Sequence, residues 1–105
     1  MKPLLIALFL TLPISAFAQS AEVQSMCADK GGAAEMIMLA RQNGASLGRM
    51  LEVLDTSDET RAGTETRKMI LEAYGHPRYQ TPSVIAGVSG DFRDKVHLEC
   101  LQTGH

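Results

Sequence analysis

Two cysteines, three histidines and a scatter of methionines are the residues of this chain whose chemistry reaches beyond packing. Cys27 and Cys100 stand near opposite ends, and what they do depends on compartment: a disulfide in an oxidising space, two thiols in a reducing one. A redox-active pair would take Cys-x-x-Cys spacing, which is absent. An even count and this placement favour one intramolecular bond over buried free thiols or a bridge between chains. Closing a loop of roughly 74 residues would remove unfolded-state entropy worth roughly 4 kcal/mol.

The methionines raise copper, because thioether sulfur is a soft ligand. Met36 and Met38, however, are two positions apart, and on a helix their sulfurs point about 200° from each other. Met26, Met38, Met50 and Met69 fall on apolar stripes, where methionine serves as adaptable core filler. Asp94 and His97 lie one helical turn apart, but two ligands do not close a metal site. His76 sits in a turn and His105 is the last residue. The expectation is no metal and no cofactor.

Catalysis would require an activated nucleophile beside a base, paired carboxylates in a cleft, or a glycine-rich phosphate loop. None is recognisable. Gly31-Gly32 and Gly87-Val88-Ser89-Gly90 match no phosphate-binding pattern, and no catalytic residue is expected. One stretch is unlike scaffold: Glu72 to Thr81 gathers Tyr74, His76, Pro77, Arg78 and Tyr79 into one connection. Tyr and Arg are enriched at recognition hot spots, so Tyr74, His76, Arg78 and Tyr79 are the candidate interaction residues. The competing reading has Tyr74 packing inward at a helix end and Tyr79 covering the core edge.

The first eighteen residues set the compartment. Met1-Lys2 give a positive start, Leu4 to Leu12 an apolar run, Pro13 a break, and Ala16-Phe17-Ala18 the small-x-small pattern of a signal-peptidase site. This is the architecture of a secretory signal peptide, cleaved after Ala18, with residues 19–105 forming a single domain in the periplasm or the secreted space. The apolar run is about half the roughly 20 residues a span needs, so stable membrane insertion after cleavage is not expected. Gln19 rules out a lipoprotein cysteine directly after the cut. The whole chain carries a formal charge of −2, and removing Lys2 with the leader makes it more negative by one. Charges of both signs are interspersed, without the basic face that nucleic acid calls for.

What must position these residues is helical. Val23, Met26, Cys27, Ala34, Ile37 and Met38 share a face at i, i+3/i+4 spacing, and Asn43-Gly44 closes that helix. Gly31-Gly32 costs the helix roughly 2 kcal/mol of propensity; either it breaks there, or another helix comes close enough to need the missing side chain. Ser46 caps a short second helix with Leu47, Met50, Leu51 and Leu54 inward. Thr56-Ser57-Asp58-Glu59 reads as a capping box for a third, with Ala62, Thr66, Met69, Ile70 and Ala73 on one stripe. Its surface is lined by Arg61, Glu65, Arg67, Lys68 and Glu72. Tyr74-Gly75-His76-Pro77 ends it. Thr81-Pro82 opens a fourth, with Ile85, Val88, Phe92, Val96 and Cys100 inward, a weak point at Ser89-Gly90-Asp91, and a frayed end from Leu101 to His105. The prediction is an all-α, compact bundle of about four helices, neighbours roughly antiparallel, the first and last linked by the disulfide.

With these features the chain resembles the short exported bacterial proteins, mostly uncharacterised, in which a signal peptide precedes an all-helical domain. The shared pattern is an early Cys (Cys27), a turn like Asn43-Gly44-Ala45-Ser46-Leu47, a Tyr–Pro connection (Tyr74, Pro77) and a Cys in the last helix (Cys100). The resemblance implies localisation and fold and brings no activity with it. The function expected is that of a non-enzymatic module binding a protein partner. Its forms would be an immunity or inhibitor protein, or a periplasmic stress chaperone, ahead of a copper carrier or an enzyme.

Overall fold

Ser20 starts the first helix: its hydroxyl accepts from the Val23 N–H at 3.1 Å while its own backbone stays extended. That satisfies one of the donors a helix N-terminus leaves open. In the computed structural model, which describes residues 20–54 and 60–105, α1 runs over Ala21–Gln42 without a break. It passes straight through Gly31-Gly32. A Cβ built on Gly31 would lie 3.1 Å from the His97 Cβ and 3.2 Å from the Arg93 carbonyl oxygen, whereas one on Gly32 meets nothing within 4 Å. Close approach of a second helix therefore explains Gly31. α1 ends as its sequence suggests. Gly44 takes φ +95°, its N–H donates to the Arg41 carbonyl, and the Ala45 N–H donates to that of Ala40, a Schellman motif that uses otherwise orphaned acceptors.

α2 spans Leu47–Val53, with the Ser46 hydroxyl accepting from the Arg49 N–H. α3 spans Arg61–Tyr74 with Thr60 as its cap; the capping box expected at Thr56–Glu59 lies outside the described residues, as does the leader. α4 spans Pro82–Thr103, Pro82 at its first position. It shows no break at Ser89-Gly90-Asp91, and it continues to Thr103 where fraying was expected from Leu101. Gly104 closes it at φ +80°.

α1 and α4 pack antiparallel. The Cys27–Cys100 disulfide, with Cα atoms 5.4 Å apart, ties one end, Glu35 meets Arg93 at 3.0 Å in the middle, and Gln42 meets the connection before α4 at the other end. α3 lies on α1 and runs the same way, with Glu65 beside Lys30 and Tyr74 beside Ala45. It runs opposite to α4, with Glu72 at Lys95 and Glu65 near His105. The antiparallel expectation thus holds for α4 against both neighbours. α1 and α3, which are not successive in the chain, run parallel, in agreement with successive helices alternating in direction.

The fold is all-α, a small bundle with four helices among the described residues, the first and last joined by the disulfide. Its core is Ala34, Ile37 and Met38 from α1, Ile70 and Ala73 from α3, and Phe92 from α4, edged by Met50, Leu51, Met69, Tyr74, Val88 and Val96. Each large side chain fully buried there contributes about 1.5–3 kcal/mol. The stripes predicted from periodicity hold in the middle of each helix and fail at the ends. Ala62 is exposed and Gly63 buried in its place. Met26, Leu47 and Leu54, expected inside, are each more than a third exposed among the described residues.

Candidate functional site

Gln42 is the last residue of α1 and only 3 % exposed. A buried amide must find partners for both its ends, and it finds them in the connection that follows α3. Its Oε1 accepts from the Tyr79 N–H at 2.7 Å, and its Nε2 donates to the Pro77 carbonyl at 2.8 Å and to the Met38 sulfur at 3.7 Å. Arg41, one residue earlier, donates from Nε to the His76 carbonyl at 3.1 Å and sets its guanidinium 5.2 Å from the Tyr74 ring centre, within cation–π range. The Tyr74 hydroxyl donates to the Ala45 carbonyl at 2.6 Å. Arg78 donates from Nε to the Gln42 carbonyl at 3.3 Å.

These bonds bring Tyr74, His76, Arg78 and Tyr79 together as one corner wrapped around the end of α1. Tyr74, His76 and Tyr79 are half-buried and Arg78 is exposed. The His76 ring meets Phe92 edge-on at 6.1 Å, so it closes the core as well as facing out. Burial pushes the Tyr74 phenol above its ordinary pKa, and the Arg41 charge pulls partly the other way. Arg41 and Gln42 were not among the residues singled out from sequence. The available signal was that Gln42 continues the apolar stripe of Ile37 and Met38, which places a polar group where the helix faces inward.

An open groove of about 190 Å3 lies between α3 and α4. Met69, Val96 and Cys100 line its apolar part, and charged side chains of both signs surround it. Lys30 pairs with Glu65. Lys95 donates to Glu72 at 2.9 Å, with Glu99 3.9 Å away, and the hydrogen bond to Glu72 raises the Lys95 pKa. On the opposite side of α4, Arg93 bridges Asp94 and Glu35, each at 3.0 Å, and is held above its usual pKa chiefly by the Asp94 bond.

Among the described residues no three His, Cys, Asp or Glu side chains gather to hold a metal ion. Met36 is 72 % exposed whereas Met38 is fully buried, so the two sulfurs face opposite ways. No helix of the described residues is long and apolar enough to cross a membrane. No family model, no curated protein and no solved structure matches this chain.

Proposed function

We propose that this chain is an exported, non-enzymatic bacterial protein that binds a protein partner through the corner at Tyr74–Tyr79. The observation that carries this reading is that the corner backbone is pinned to α1 by Gln42 and Arg41 while Arg78 remains exposed and Tyr79 half-exposed. A recognition loop held in one conformation pays little ordering entropy on binding, and Tyr and Arg are the side chains that most often dominate binding energy. Export is supported by the signal-peptide pattern of residues 1–18, by the disulfide, and by the resemblance to small exported helical proteins.

The test is crosslinking in the cell that makes the protein. A photo-reactive residue is placed at position 78, at position 79, and at Lys68 on the far side of α3 as a control. One adduct of the same mass formed from both 78 and 79 but not from 68 supports the reading. Absence of any adduct, or equal adducts from all three positions, sinks it. Mass spectrometry of the same material checks export: the chain should start at Gln19.

A further inference from the structure

The two ends of α3 are held by different kinds of bond. At its C-terminal end Ile70 and Ala73 are fully buried, the Tyr74 hydroxyl donates to Ala45, and the connection beyond is pinned by Gln42 and Arg41. None of those contacts uses a carboxylate. The N-terminal half buries only Gly63 and is tied instead through Glu65, which pairs with Lys30 of α1 and faces His105 at 4.0 Å. Toward α4, from which the groove separates it, α3 is tied by Glu72 to Lys95, an ion pair in its C-terminal half that adds to the uncharged contacts there. Among the described residues, every ion pair from α3 to another part of the chain has its carboxylate on α3.

Acid protonates carboxylates and leaves lysines charged. The groove walls, now of mixed sign, would then present only cations: Lys30 from α1, Lys68 from α3, Lys95 from α4, and His105. Glu99, which faces Lys95, loses its charge with the others. From α2, which packs on α3, the charged residues are Arg49 and Glu52, both exposed. Arg41 faces the Tyr74 ring at the pinned end. Protonation of His105 alone places a cation opposite Glu65 and strengthens that contact, so the change requires the carboxylates rather than the histidine.

The geometry points to an acid-released helix: with Glu65 and Glu72 protonated, the N-terminal half of α3 leaves α1 and α4, pivoting at the Tyr74–Gln42 corner. The disulfide holds α1 and α4 together meanwhile, so the release is local and reversible. It goes beyond the partner-binding reading and does not depend on it.

Amide hydrogen exchange on the disulfide-bonded protein, corrected for intrinsic rates, tests this. Between neutral pH and about pH 3, protection over residues 62–69 should fall by about tenfold or more while α1 and α4 keep theirs. The Glu65→Gln/Glu72→Gln variant, neutral at both positions, should show the same local loss at neutral pH. Retained α3 protection in acid, or an equal loss across all helices, overturns the proposal. Should the variant fail to fold, the acid arm on the unmodified protein decides.

Discussion

Gly31 and His97 meet across the α1–α4 interface so closely that a methyl group fits only if a neighbour gives by a few tenths of an ångström: a Cβ on residue 31 would stand 3.1 Å from that of His97. The second obstacle, the Arg93 carbonyl oxygen at 3.2 Å, is backbone and moves only if α4 moves. Gly31→Ala should therefore destabilise the protein by about 1 kcal/mol, overpacking outweighing the gain in helix propensity. Gly32→Ala, with open space at the same helical turn, should stabilise by up to about 1 kcal/mol. Urea unfolding of the two variants separates the effects. Equal shifts of one sign would mean that the helices do not approach so closely at Gly31.

Ser89 is 1 % exposed and its hydroxyl oxygen has no hydrogen-bond partner among the described residues. A buried, unsatisfied hydroxyl costs about 1–3 kcal/mol, and alanine is the better helix former. Ser89→Ala should raise stability by about 1 kcal/mol, read as a higher midpoint in thermal or urea unfolding.

Gln42 predicts the opposite outcome. Gln42→Leu keeps the volume roughly and removes both partners of the connection, leaving the Tyr79 N–H and the Pro77 carbonyl without their bonds. The expected cost is about 2–3 kcal/mol. Exchange at the Tyr79 amide should accelerate more than at any amide of the α1–α4 centre. A variant as stable as the parent would remove the corner's claim to rigidity.

Tyr74 gives a pH dependence. Its folded-state pKa lies above its ordinary value through burial, so the unfolded chain ionises first as pH rises. The stability linked to the neutral phenol is complete below about pH 10 and is lost progressively above it. Tyr74→Phe should flatten this alkaline decline while lowering stability at neutral pH by about 1 kcal/mol through loss of the bond to Ala45. Urea midpoints measured from pH 8 upward check both parts.

Replacing Cys27 and Cys100 together with alanine should cost about 4 kcal/mol in the loop-closure description, a large part of what a domain this small has. Reduction in mild denaturant should unfold the protein at urea concentrations where the oxidised form stays native, monitored by circular dichroism.

Much of this architecture was legible from residue order because helix signals are local. Ser46 caps α2 and Pro82 begins α4 as their types dictate. The cysteines fell on the inner stripes of α1 and α4, and they meet. Illegible were features created by partners distant in the chain. Gly31 makes sense only beside His97, and Glu65 and Glu72 read as solvated helix surface until Lys30 and Lys95 arrive opposite them. The candidate residues Tyr74, His76, Arg78 and Tyr79 were visible as a cluster, but the amide that organises them, Gln42, was hidden by its ordinary identity.

The placement of the disulfide has a mechanical consequence. Cys27 and Cys100 sit side by side across the bundle, with α2, α3 and most of α1 and α4 enclosed between them. Tension applied through segments outside the pair crosses from one sulfur to the other and bypasses everything within. Stretching peels away what lies outside the two sulfurs, Ser20 to Met26 and the end of α4 after Cys100 among the described helices, while the enclosed segments stay slack.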